Sequence, residues 1–435
     1  MGKGRYYSSM ISLCYAYRGC GIFLIMQNKA NFEIIKDGGI TSPKGFAAGA
    51  VYAGIKKQSQ GVMDLAVLYS EADCAAAGVF TTNKVKAAPV LFDQQNLKKT
   101  GKARAIIINA GVANACTGKQ GMENAVLTAE LLAKKLKIEP EEVLVASTGV
   151  IGVQLPMDKI EDGIEQIKIS RSGGHILAKA IMTTDRKPKE IAIKVKSGNT
   201  EFTVAGVAKG AGMIHPNMAT MLCFLATDAR IEGKFLKSAL KKAIDLSINL
   251  VTVDGDTSTN DTAIILGNGM AMGDKGVIEQ GSRLAEAFQE GLNRVCLHLA
   301  RSIARDGEGA TRMIEVFVDG AVSQDDARLA ARIIANSPLV KTAVHGCDPN
   351  WGRIICAAGR SGAELDPEKA DVYIDDICLF KSGTPLPFDK KAAADKLGGP
   401  EVSLRMDFHL GKASATAWGC DLSKEYVTIN AEYTT

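Results

Sequence analysis

Between Lys209 and Asp228 the chain reads Lys-Gly-Ala-Gly-Met-Ile-His-Pro-Asn-Met-Ala-Thr-Met-Leu-Cys-Phe-Leu-Ala-Thr-Asp, and one hydroxyl, that of Thr220, stands at the mouth of the apolar stretch Met221 to Ala226. A threonine hydroxyl is a weak nucleophile at neutral pH unless a base sits beside it. One recurring solution is a threonine whose own α-amine, as a chain terminus, is that base. An α-amino group titrates near ~8, close enough to the working pH to take and return the hydroxyl proton. Thr220 is internal, so this chemistry requires the Ala219-Thr220 bond to break. The small side chain of Ala219 leaves the scissile carbonyl accessible, and Pro216 with Gly210 and Gly212 can shape a turn that aims Oγ at it. Taken alone, an Ala-Thr pair reads first as a loop entering a buried strand, since threonine favours strands.

Acyl transfer also needs donors aimed at the oxyanion of the tetrahedral intermediate, each worth typically ~3 kcal/mol. Thr148-Gly149, where an apolar run from Glu142 to Ala146 ends, offers a hydroxyl and a backbone N–H that glycine lets approach closely. In isolation Ser147-Thr148-Gly149 is a turn more often than an oxyanion hole.

The run around Thr220 resembles the cleavage-site region of the ornithine acetyltransferase family, self-cleaving enzymes of N-terminal-nucleophile type in arginine biosynthesis. The resemblance extends from Gly38-Gly-Ile-Thr-Ser-Pro-Lys-Gly-Phe46 to Asn430-Ala-Glu-Tyr-Thr-Thr435. It takes in Asn109 to Asn114, Asp254 to Asp261 and Pro338 to Arg353. It implies a mixed α/β (α+β) fold of layered sheets and helices that processes itself at Ala219/Thr220. The products would be an alpha chain, 26–219, and a beta chain, 220–435, interwoven and assembled as two of each. The implied reaction is ping-pong: Thr220 takes the acetyl group of N2-acetyl-L-ornithine and passes it to L-glutamate, with no cofactor. Bifunctional members also use acetyl-CoA as the donor, and these motifs do not separate the two types. Thr148 and Gly149 become the oxyanion hole. Substrate contacts map onto Thr183, Lys209, Thr220, Glu308, Asn430 and Thr435, with Thr184 an equal claimant to the first. Lys209 is then expected to pair with a substrate carboxylate and Glu308 to face an ammonium, through charge-assisted hydrogen bonds. Each alone also reads as a solvated surface residue. Chain ends usually fray, so ligands at Asn430 and Thr435 call for an ordered C-terminus.

The elements that must position these groups are partly legible. Val62 to Tyr69, Ala103 to Asn109 and Glu142 to Ala146 read as buried strands, as do Thr262 to Leu266 and Met313 to Val318. Helical spacing runs from Glu123 to Lys137, from Phe235 to Leu250, through Leu284, Phe288, Leu292, Val295, Leu299 and Ile303, and from Asp325 to Ala335. Asp348-Pro349-Asn350 predicts a tight turn with Trp351 filling a pocket beneath it. Asp254 and Asp256 admit a metal site or, more simply, a satisfied polar loop. No short-period repeat and no low-complexity linker interrupts the chain.

With 435 residues, 46% hydrophobic and 23% charged, the chain has the composition of a globular protein large enough for two core-bearing lobes. A net charge of +4 with scattered Lys and Arg gives no footprint for nucleic acid, and Lys134-Lys135 and Lys241-Lys242 read as solvated helix faces. Ten cysteines without CxxC pairs read as mostly buried, reduced thiols of a cytosolic protein, Cys223 among them as core packing. Five histidines show no zinc-type pairing, and no apolar run reaches the ~18 residues of a membrane span. Residues 1–25 carry Lys3, Arg5 and Arg18, with no acid before Glu33. They read either as an organellar transit peptide or, with the native start at Met10 or Met26, as an atypical leader that is a translation-start artefact or a disordered tail.

Nucleotide-binding glycine motifs fail on spacing: Gly111 to Gly118-Lys119 and Gly267 to Gly273 match neither fingerprint. Two other classes stay open, an N-terminal-nucleophile amidohydrolase or aminopeptidase using the same Thr220, and a binding protein that keeps the uncleaved fold.

Overall fold

The computed structural model describes residues 30–56, 61–215, 221–273 and 276–432. Two compact units emerge. One comprises the described residues up to Ala310 together with the C-terminal helix Lys424–Glu432, the other Thr311–Ser423.

In the first unit nine strands form one sheet: β1 Asn31–Ile34, β2 Phe46–Val51, β3 Leu65–Phe80, β4 Lys102–Val112, β5 Val143–Val150, β6 Lys189–Ser197, β7 Thr200–Lys209, β8 Leu222–Thr227 and β9 Thr262–Gly267. Their order is β1-β6-β7-β8-β9-β3-β4-β5, with β2 also on β3. Strands from both sides of position 220 share this sheet. Antiparallel β7 and β8 set Lys209 opposite Leu222, parallel β8 and β9 set Leu222 opposite Thr262, and β9 runs antiparallel to β3.

Side chains alternate across a strand, so a sheet buried on both faces reads as a continuous apolar run. Leu65, Val67, Ala105, Ile107, Val143 and Val145 enter one core, which Leu132 of helix Gly118–Leu136 and Ile160 and Ile164 of helix Met157–Gln166 close. Ala66, Leu68, Ile106, Ile108, Leu144 and Ala146 enter another with Leu177 and Ala178 of helix Gly174–Ala180. Strand β5 is the edge, and its free backbone groups need partners. Helix Ala88–Thr100 supplies them: Asp93 accepts from the Val145 N–H at 2.9 Å, and the Asn96 amide donates to the Val143 carbonyl at 3.3 Å.

Several boundaries depart from the sequence expectation. The strand foreseen from Val62 begins at Leu65 and continues to Phe80, with a register shift between Tyr69 and Cys74 carrying it past Tyr69. The helix foreseen from Phe235 to Leu250 stops at Asp245, because the Ser247 hydroxyl returns to the Ala243 carbonyl at 2.6 Å and a 3-10 turn, Ile248–Leu250, follows. The long helix is Arg283–Arg305, capped by Ser282. Cysteines are less uniformly buried than expected: Cys74, Cys223, Cys296 and Cys420 are interior, Cys116 and Cys356 exposed.

The second unit is a six-stranded sheet, β10 Met313–Ala321, β11 Asp371–Ile374, β12 Ile377–Lys381, β13 Thr384–Pro385, β14 Glu401–Asp407 and β15 Ala413–Cys420, in the order β13-β12-β11-β14-β10-β15. Helices Gln324–Ala335, Pro338–His345, Trp351–Gly359 and Lys390–Leu397 accompany it. Trp351 does not fill a pocket under the Asp348-Pro349-Asn350 turn. It opens a helix, half-buried, and its ring stacks on Phe380 with centroids 4.9 Å apart. Among the described residues no helix is long and apolar enough to cross a membrane.

Candidate active site

Thr148 and Gly149 lie on the last turn of backbone of β5, as the sequence suggested. Parallel pairing with β4 breaks register at Gly111 and Val112. Gly149 has φ +130°, and a Cβ there would sit 2.2 Å from the Gly111 carbonyl carbon, so only glycine permits this approach. The frame around the pair is neutral and closed. The Ser147 hydroxyl donates to Asn109 at 2.6 Å, the Asn109 amide donates to the Val112 carbonyl at 2.8 Å, and the Asn260 amide reaches the Ala113 and Ser147 carbonyls at 2.6 and 2.9 Å. The segments Asn109 to Asn114 and Asp254 to Asp261, which had no assigned chemistry, thus hold the strand ends that carry Thr148 and Gly149.

Lys209 ends β7 and is buried, 5% exposed, which excludes the solvated-surface alternative. Its ammonium lies 3.1 Å from the Thr148 hydroxyl oxygen. An ammonium only donates, so Thr148 accepts with a lone pair and keeps its own proton to give elsewhere. Burial lowers the Lys209 pKa. Asp185 opposes that shift, Lys189 adds to it, and Glu308 and Asp261 oppose it.

Glu308 is likewise buried, 7% exposed, just beyond the helix Arg283–Arg305. Its N–H donates to the Ala211 carbonyl at 2.9 Å, and its carboxylate rests over Gly212, where a Cβ would meet all three carboxylate atoms at 2.3 Å. Asn430, on the C-terminal helix, donates to Glu308 at 2.8 Å. The chain end is therefore ordered through Glu432, and two of the implied substrate residues touch each other. Thr183 is half-buried, its N–H donating to Asp185 at 3.0 Å, and Thr184 is exposed to the same degree, so burial does not separate the two. Lys56, missed in the sequence, reaches over this loop to the Met182 carbonyl at 2.7 Å.

Thr220, Ala219 and Thr435 lie outside the described residues. Around the first two, the flanking chain is well held. Asp254 accepts from the Met213 and Ile214 N–H groups at 2.6 and 2.9 Å and from Asp256 N–H at 3.3 Å, so its oxygens serve a polar loop that grips the approach to position 220. Burial raises the Asp254 pKa against those bonds, and the Tyr426 hydroxyl also contacts it. On the far side, Thr262 N–H bonds the Met221 carbonyl at 3.1 Å. Asp261 is buried near Met221 N–H and Thr81 without a well-formed bond to either oxygen, and burial pushes its carboxyl well above the ordinary range. Cys223 packs in the core, and burial lifts its thiol to about 12.

These groups define a layered α/β protein whose polar site is built at the ends of β4, β5 and β7 and the loop after the long helix. The ArgJ family model matches residues 47–435, and the chain belongs to that family. It is 53% identical to the arginine biosynthesis bifunctional protein ArgJ of Dehalococcoides mccartyi, over 94% of this chain and 100% of that protein. With the protein of the same name from Symbiobacterium thermophilum it shares 50% identity, over 92% of this chain and 99% of that one. A crystal structure of ornithine acetyltransferase complexed with ornithine, from Mycobacterium tuberculosis, is 44% identical and covers 43% of this chain and 99% of that chain, with a TM-score of 0.40.

Proposed function

We propose that this chain is a glutamate N-acetyltransferase of arginine biosynthesis, moving acetyl from N2-acetyl-L-ornithine to L-glutamate through an acetyl ester on Thr220. Family membership supports the reaction. One observation carries the mechanism: the 3.1 Å contact from Lys209 to Thr148, which leaves the Thr148 proton free beside the Gly149 N–H. The precursor cleaves at Ala219/Thr220, and the sharing of one sheet by β7 and β8 supports alpha and beta chains, 26–219 and 220–435, that stay together as two of each. The reaction runs in the cytoplasm, where thiols such as Cys116 and Cys223 stay reduced.

The freed α-amine of Thr220 takes the hydroxyl proton as Oγ attacks the acetyl carbonyl. Thr148 Oγ–H and Gly149 N–H donate to the oxyanion. Collapse breaks the amide, and the ornithine nitrogen leaves with the proton. Glutamate then attacks the ester, and Oγ recovers its proton as N-acetylglutamate departs. Glu308 faces a substrate ammonium, Lys209 a carboxylate, and Thr183, Asn430 and Thr435 complete the contacts. Acetyl-CoA can enter in place of acetylornithine.

Mass spectrometry of purified protein is expected to find two chains split before Thr220, and labelled acetylornithine to label glutamate faster than it releases acetate. A single intact chain would sink the nucleophile, and acetate as the main product would make the protein an amidohydrolase. Labelling of glutamate from acetyl-CoA decides whether the enzyme has both activities.

A further inference from the structure

A chain of buried charges lies beside the proposed contacts and takes no part in the mechanism above. Lys189, the first residue of β6, donates to Asp185 at 2.5 Å and to Asp306 at 2.6 Å, with side chains 2%, 0% and 9% exposed. Each carboxylate also grips backbone. Asp185 accepts the Thr183 N–H at 3.0 Å and the Gly210 N–H at 2.6 Å, while Asp306 accepts the Arg186 N–H at 3.0 Å. Three segments therefore meet on one ammonium: the loop of Thr183, the end of β7 with Lys209, and the turn Asp306 to Glu308.

We infer that Lys189, with Asp185 and Asp306, is a positioning device that holds Thr183, Lys209 and Glu308 at one spacing and so selects substrates bearing both a carboxylate and an ammonium. This rests on the acetyl-transfer reading above. Apolar side chains could join the same segments at a lower desolvation cost, so what the charges add is direction. Each carboxylate oxygen fixes an N–H donor at hydrogen-bond geometry. The arrangement also links Lys209 to its surroundings electrostatically. The charged and titratable groups that face it are Asp185, Lys189, Glu308, Asp261 and Lys56. Removing the negative charge of Asp185 makes Lys209 lose its proton at lower pH, and removing the positive charge of Lys189 makes it lose the proton at higher pH.

The test is steady-state acetyl transfer by the full-length, self-processed protein across the alkaline range. Asp185→Asn is expected to raise KM for acetylornithine about tenfold, with kcat falling less than about threefold, as for loss of a ground-state contact. Its alkaline rise in KM moves to lower pH. In Lys189→Met the rise moves to higher pH, and Lys189→Arg recovers most of the wild-type KM. A purely structural role would lower the melting temperature and the active fraction and leave KM and its pH dependence alone. Either single change strands a buried charge and can unfold the chain, so the triple variant Asp185→Asn, Lys189→Met, Asp306→Asn is measured too, with its fold checked by circular dichroism. Wild-type KM and pH dependence in any folded, charge-lacking variant overturns the positioning role. Absence of transfer by the wild-type protein would sink the acetyl-transfer reading instead.

Discussion

Two buried carboxyls brace the two strands that carry the site residues, Asp93 on β5 and Asp185 just beyond β7, and their surroundings move their titration in opposite directions. Asp93 grips β5 at the Val145 N–H, 2.9 Å away, while Asp185 grips the residue after β7, Gly210, at 2.6 Å. Burial raises the Asp93 pKa well above the ordinary value despite the Val145 bond. Burial pushes Asp185 upward as well, but the Lys189 and Lys209 ammoniums and the Gly210 N–H pull it down to about 2. Burial alone therefore neutralises an acid, and paired cations keep it ionised. The β5 side of the site rests on hydrogen bonds from Asn109, Ser147, Asn260 and Asp93. The β7 side rests on ion pairs.

The sharpest way to break this contrast is neutral replacement. Asp185→Asn leaves Lys189 and Lys209 short of a counter-charge in the interior, and urea unfolding at neutral pH is expected to find a loss of about 3–5 kcal/mol. A loss under about 1 kcal/mol would mean that the ion chain is solvated. Next in size, Thr148→Val keeps the side-chain volume but removes the proposed donor to the oxyanion. It is expected to lower kcat by about 10²–10³-fold, read as the single-turnover rate of acetyl release from acetylornithine.

The acid and base arms of the stability profile separate the two carboxyls further. Asp185, with a folded-state pKa below the unfolded ~4, contributes stability that is complete above about pH 4 and disappears as pH falls through about 2, roughly 2 kcal/mol in all. Asp93, displaced upward, behaves in the reverse sense: folding is favoured below pH ~4, and the advantage erodes as pH rises and only the unfolded chain ionises. Unfolding midpoints measured from pH 2 to 8 in wild type, Asp185→Asn and Asp93→Asn test both signs. The smallest effect is Asp93→Asn at pH 7, a change expected within about 1 kcal/mol, because burial favours the neutral form of Asp93 and an amide has the same shape. A large loss there would show that Asp93 is charged.

Much of this site was legible before any coordinates. The place of Thr148 and Gly149 at the end of a strand is readable because an apolar run ends on that pair, their role comes from the resemblance alone, and the long helix is readable because one apolar stripe persists from Leu284 to Ile303. Lys209 and Glu308 are marked by resemblance, and both are buried. The sequence predicts that β3 ends at Tyr69, because the register shift beyond that residue interrupts the apolar run with Glu71 and Asp73, which carry no apolar signal of their own. Asn260 stands in the matched segment Asp254 to Asp261 without a role of its own, and Asp185, Lys189, Asp306 and Lys56 draw none from the sequence. Their partners lie far along the chain: Lys189 and Asp306 are separated by 117 residues, Asn260 and Ser147 by 113.

By itself, then, the amino-acid sequence determined the elements with strong periodicity, the glycines that permit close backbone approach, and the residue types available for acyl transfer. These are local properties, set by side-chain spacing and backbone sterics. Only the tertiary structure decided in which direction the surroundings of two buried aspartates move their titration, that Lys209 donates to Thr148, and that one lysine ties three segments of the candidate site together. Charge state and direction depend on the dielectric and the neighbours at a point in space, and those are settled by which distant strands the sheet brings side by side.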